Sequence, residues 1–103
     1  MVVAKLKKDN NFIQEISLSG HANAANYGND LVCAGITAIV NGALNGLDQM
    51  FSEFVELIVL KNDIKIIVKV ENKQVQDILE FVKIQLETIA IQYPKNFRIE
   101  EVL

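Results

Sequence analysis

The sequence predicts an α+β fold: a two-layer sandwich of an antiparallel β-sheet with two α-helices, in the order ββαββα(β). Three observations carry this. Strand-like segments rich in β-branched residues come in pairs, within residues 2–19 and 54–70, and each pair is joined by a turn containing Asp and Asn. Each pair is followed by a longer segment whose apolar residues recur at helical spacing. The 103 residues, half of them hydrophobic and 22% charged, suffice for one core with little room for a second. Residues 1–103 are therefore expected to form a single domain.

Val2 to Lys7 places Val2, Ala4 and Leu6 on one face of a strand. Asp9-Asn10-Asn11 is a turn signal, because Asp and Asn tolerate left-handed backbone angles and close local hydrogen bonds. Phe12 to Ser19 alternates again, with Phe12, Ile16 and Leu18 assigned to the inner face. After Gly20 comes a loop of small residues. Asn29 or Asp30 is the expected N-cap of a long helix. Its stripe of Val32, Ile36, Ile39, Val40, Ala43 and Leu47 should lie on the sheet, and the helix should end near Met50. Phe54 to Leu60 and Ile64 to Val70 read as a second hairpin around Lys61-Asn62-Asp63. The first of these runs does not alternate strictly, which points to a central strand covered on both faces. A second helix is expected over Asn72 to Gln92, with Val75, Ile78, Leu79, Val82, Leu86 and Ile89 in register, ended by Pro94. Residues 96–103 can supply a short last strand.

Composition narrows the function classes. A net charge of −3 and a pI near 5.0 argue against nonspecific nucleic-acid binding. Lys5, Lys7 and Lys8 read as a solvated strand face. The apolar runs are interrupted by Lys, Asp, Asn or Gly, so no membrane span is expected. The alternating N-terminus lacks the apolar core of a signal peptide. One cysteine excludes an internal disulfide, and no Cys/His cluster suggests a metal or other cofactor. A cytoplasmic location is expected.

The stretch with most chemistry is Gly20 to Cys33, fourteen residues that hold the only histidine and the only cysteine. Taken alone, a helical cysteine is most often a small buried hydrophobe, and a histidine after a strand is most often a surface or cap residue. Together they suggest more. A thiol needs a base to become a nucleophile near neutral pH, and imidazole has the pKa for it. The end of the second strand and the start of the helix can lie close, so His21 and Cys33 can share a cleft. A cysteine in the first helical turn would also gain from the unsatisfied N–H groups there, which could serve as an oxyanion hole. Asp30 is a candidate to orient His21, or simply the N-cap. The segment Ala22 to Asn29, rich in Ala, Asn and Gly with the single aromatic Tyr27, reads as a mobile lid with Gly20 and Gly28 as hinges.

Gly20-His21-Ala22, Ala25, Gly28 and Asp30 through Ala34 follow the pattern G-H-A-x-x-A-x-x-G-x-D-[IL]-V-C-A, and in this the chain resembles the ribosomal-processing cysteine proteases, the Prp family. Thr37 stands where that family usually has Ser, which keeps the hydroxyl and adds a methyl. The resemblance implies a cysteine endopeptidase with Cys33 as nucleophile and His21 as general base and acid. It implies Gly20, Ala22, Tyr27, Gly28 and Thr37 as lid or substrate-binding residues. The implied substrate is the N-terminal extension of a bacterial large-subunit ribosomal protein, the twenty-seventh, cut after a hydrophobic, aromatic-containing motif. Competing readings are a non-catalytic ribosome-associated peptide-binding or assembly factor, and a redox sensor built on one thiol. Gly35, Gly42 and Gly46 cluster on one flank of the first helix. Glycine inside a helix costs roughly 1 kcal/mol relative to alanine, so another backbone is expected there: the second helix, or a second copy in a homodimer.

Overall fold

Val2–Asp9 (β1) and Phe12–Ser19 (β2) pair antiparallel around Asn10 and Asn11, which both adopt positive φ, 51° and 68°. Two successive residues in that region make the tight turn whose twist matches the flanking strands. The computed structural model describes residues 1–20 and 27–102, with residues 27–30 described at the backbone only. Tyr27–Phe51 forms helix α1, followed by strands Val55–Val59 (β3) and Asp63–Val68 (β4), helix Lys73–Gln92 (α2) and strand Phe97–Val102 (β5). The α+β, two-helix architecture is as expected.

The strands lie in the order β3-β4-β2-β1-β5. Two expectations are corrected by it. The sheet is mixed, because β5 runs parallel to β1, with Val2 opposite Phe97. The reason is length: α2 has 20 residues, so at about 1.5 Å per residue it spans about 30 Å. That returns the chain to the end of the sheet where β1 begins. The second correction is β3, which is an edge strand and not a central one. Its weak alternation reflects partial cover on both faces: Leu57 and Ile58 are each half-buried.

Phe12 is also reassigned. The register slips between Lys7 and Lys8, leaving Gln14 without a partner. The extra residue reverses the alternation, so Ile13 enters the core and Phe12 turns outward. The Gln76 side chain of α2 serves the Ile13 backbone on both sides. It accepts from the Ile13 N–H at 2.8 Å and donates to its carbonyl at 2.9 Å.

Both helices cover one face of the sheet and touch each other. Val32, Ile36, Val40, Leu44 and Leu47 of α1 meet Val75, Leu79, Val82 and Leu86 of α2 over Ala4, Leu6, Ile16 and Ile66. Each such large side chain contributes roughly 1.5–3 kcal/mol of burial. Asn72 caps α2, its side chain accepting from the Val75 N–H at 3.0 Å. Residues 31–51 of α1 are long and apolar enough to cross a membrane, with a mean hydropathy of 1.4. This corrects the expectation that no stretch qualifies. Between residues 31 and 51 the interruptions are glycine, threonine, asparagine and glutamine, with Asp48 as the one charge, so they dilute the apolar runs almost without charging them. The fold buries 28% of that span, and the buried stripe supplies only part of its apolar content.

Candidate active site

The site lies at the end of the sheet where β2 finishes and α1 begins. Ser19 sits opposite Val3 on one side and opposite Asp63 on the other. The start of β1, the end of β2 and the start of β4 therefore share one rim. Gly20 leaves β2 at φ +94°, and a Cβ there would sit 2.5 Å from the Met1 carbonyl oxygen. Only glycine fits this crossing without displacement. His21 is the next residue in the chain.

α1 passes over this rim and leaves an open cleft of about 190 Å³ beneath and beside it. Its floor is Leu18 and Ile64, its helical wall is Cys33, Thr37 and Asn41, and the β3–β4 turn Lys61-Asn62-Asp63 also lines it. Cys33, Thr37 and Asn41 succeed one another at four-residue spacing, so they stand on one face of α1. Cys33 is half-buried and also packed against the core. That position both holds the sulfur and leaves it open to the cleft.

Of the residues expected at the site, the structure brings Cys33, Thr37 and Gly20 together. His21 and Ala22 lie outside the described residues. Tyr27, Gly28 and Asp30 are placed by their backbone in the first turn of α1, and their side chains lie outside what is described. The expected N-cap at Asn29 or Asp30 is corrected, since α1 starts at Tyr27. The helix accordingly takes the last three residues assigned to the lid, Tyr27 to Asn29. A buried stripe beginning at Val32 marks where the helix touches the core, not how far its turns reach upstream. Cys33 is thus the seventh residue of α1 and not in its first turn. The four unsatisfied N–H groups lie upstream of it, and the dipole's influence is concentrated in the first turn. The expected backbone oxyanion hole at Cys33 loses its basis.

Asn41 and the 61–63 turn were not singled out from the sequence. Asn41 was within reach, being one helical turn beyond Thr37 on the Cys33 face. The turn was not, because only strand pairing brings it across from α1. Among the described residues no three His, Cys, Asp or Glu side chains converge as a metal site.

The model of the cysteine protease Prp family matches residues 1–98. A ribosomal processing cysteine protease Prp of Bacillus subtilis (strain 168) is 33% identical over 95 residues, covering 84% of each chain. One from Staphylococcus aureus (strain Mu50) is 29% identical over 94 residues, covering 88% of this chain and 89% of that protein. Among solved structures, the S. aureus protease Prp with a substrate peptide superposes with a TM-score of 0.88 at 24% identity, over 99% of this chain and all of that one. The same protease with a covalently linked product peptide gives 0.86 at 27% identity, with the same coverage. From residue 1 to residue 98, from β1 through both helices to the start of β5 and across the cleft that holds its one thiol, this chain belongs to the Prp family of ribosomal-processing cysteine proteases.

Proposed function

We propose that the chain is a cytoplasmic endopeptidase that removes the N-terminal extension of the twenty-seventh protein of the bacterial large ribosomal subunit. Cys33 is its nucleophile and His21 its general base and acid. The observation that carries this is the placement of Cys33: half-buried, on the wall of an open cleft, facing the strand end from which Gly20 leads directly into His21. The S. aureus relatives hold a substrate peptide and a covalently linked product peptide. A peptide is accordingly the ligand proposed for this cleft.

In the proposed reaction His21 accepts the Cys33 proton and the thiolate sulfur bonds to the peptide carbonyl carbon. The C–N bond then breaks as His21 returns that proton to the departing amine, leaving a thioester. Water, deprotonated by His21, attacks the thioester and releases the carboxylate and the thiol. The Thr37 hydroxyl, one turn after Cys33 on the same wall, is assigned to hold the substrate. The small-residue segment from Ala22 onward is assigned the role of a lid that closes over the bound chain. We assign a homodimer as well. Gly42 and Gly46 support it, because a Cβ added at either would meet nothing within 4 Å, which leaves that flank of α1 open to close approach.

Intact-mass spectrometry of the precursor ribosomal protein tests the reading. The wild-type chain is expected to make a single cut that Cys33→Ala does not make. An uncut precursor that co-purifies with both versions would make the protein a peptide-binding factor and remove the catalytic role from Cys33.

A further inference from the structure

The apolar floor of the Cys33 cleft does not stop at the cleft. Strand register sets Leu18 beside Ile64 and Ile64 beside Val59, so the three form one row on one face of the sheet. Leu18 and Ile64 line the cleft. Val59, the third of the row, is 64% exposed at the rim. The floor thus runs out as an apolar step to the edge strand β3.

That edge offers hydrogen bonds. The Leu60 N–H donates to the Asp63 carbonyl at 2.8 Å, and the Phe54 carbonyl accepts from the Lys69 N–H at 2.9 Å. In an antiparallel ladder the bonding residues alternate, so 54, 56, 58 and 60 face β4. Val55, Leu57 and Val59 therefore turn their N–H and C=O groups outward. Among the described residues no strand pairs with this side. The edge is also weakly guarded. Natural proteins protect free edges with charge, proline, bulges or cover. β5 at the opposite edge carries Arg98, Glu100 and Glu101, whereas β3 has Glu56 as its one charge.

We propose that the peptide substrate binds in extended form as a sixth strand on β3, bonding its backbone to Leu57 and Val59. One of its apolar side chains rests on Val59 and Ile64 before the chain passes over the rim to Cys33. This rests on the peptidase reading above. Main-chain pairing supplies affinity without regard to sequence, and the step at Val59 selects an apolar residue at one position. A peptide is favoured over a second copy for two reasons. The edge is continuous with the cleft that holds the thiol. Its five residues are also short against the roughly 800 Å² per partner that a stable interface buries.

The test uses the precursor's extension peptide in two arms. In the first, Cys33→Ala traps the uncut peptide while amide hydrogen exchange is read at Leu57 and Val59. Exchange at both is expected to slow by at least about fivefold on addition of peptide. In the second, Leu57→Pro and Val59→Pro each remove an outward N–H while leaving the ladder to β4 intact. Each is expected to lower kcat/KM by roughly three- to tenfold, mainly through KM. Unchanged exchange at both amides, with the wild type still cutting the peptide, overturns the proposal even if the proline variants fail to fold. Protection already present without peptide and rising with protein concentration identifies a second copy on the edge, and also overturns it. A wild type that cuts nothing defeats the underlying peptidase reading instead, and this proposal with it.

Discussion

Gly20 shows how one backbone angle prepares the site. Its φ of +94° turns the chain out of β2, and the Met1 carbonyl oxygen occupies the space a side chain would need. Gly20→Ala adds a Cβ against that oxygen in a conformation that L side chains resist. It is expected to cost roughly 1–3 kcal/mol of stability, read as a lower denaturant midpoint. Thr37 and Cys33 follow a different logic, since their shared face comes from helical spacing alone. The glycine's place in the motif was legible, but its reason was not, because nothing in the sequence says that Met1 crosses there. The pairing of one imidazole with one thiol makes His21 the proposed base on chemical grounds alone, since it lies outside the described residues.

Among the elements, β5 is the clearest case of a piece held by distant residues. Phe97 anchors it in the core, and Glu101 ties it to β1 through Lys8 at 3.1 Å and to α2 through Lys83 at 3.6 Å. The hydrogen bond and charge of Lys8, with Lys83 adding to them, hold the Glu101 carboxyl below its ordinary value of 4.5. Burial works against the charge on Lys83, yet Glu80, Glu87 and Glu101 outweigh it and raise its pKa. A carboxylate whose pKa is lowered by folding stabilises the fold above its unfolded value and ceases to as pH falls through the folded one. Glu101→Gln is therefore expected to be less stable than wild type at pH 7, with the gap closing as the pH drops below 4.5. Because Glu101 is exposed, the gap should also shrink at about 1 M salt. Denaturant melts across pH and salt check both. The ladder behind this clamp was not legible. Lys8 and Glu101 are 93 positions apart in the chain, and only the parallel pairing of β1 with β5 brings them together.

At the scale of the molecule the glycine flank of α1 divides in two. A Cβ at Gly35 would lie 3.1 Å from the Ile89 side chain of α2, whereas Gly42 and Gly46 face open space. The second helix thus accounts for Gly35 and leaves the other two for the proposed dimer. Gly42→Ala is expected to raise monomer stability by roughly 0.5–1 kcal/mol, since helix propensity improves and nothing clashes. Gly42→Leu keeps that gain and obstructs a close approach, so it should shift a dimer towards monomer in sedimentation velocity. An unchanged dimer mass with Gly42→Leu would remove this flank as the interface.

What the sequence by itself determined is local. It specified the Asn10-Asn11 hairpin turn, the buried stripes of both helices and the helix stop before Pro94. It also carried family membership, through the residues from Gly20 to Ala34. Each of these depends on side chains within a few turns of one another. The tertiary structure decided the rest: that β3 is an edge, that β5 runs parallel, that Ile13 replaces Phe12 inside, and that the 61–63 turn faces Cys33. Those outcomes depend on how far a 20-residue helix reaches, where one extra residue reverses a strand's faces, and which strand ends share a rim. Local hydrophobic periodicity shows which side of an element is buried, and it leaves open what that side is buried against.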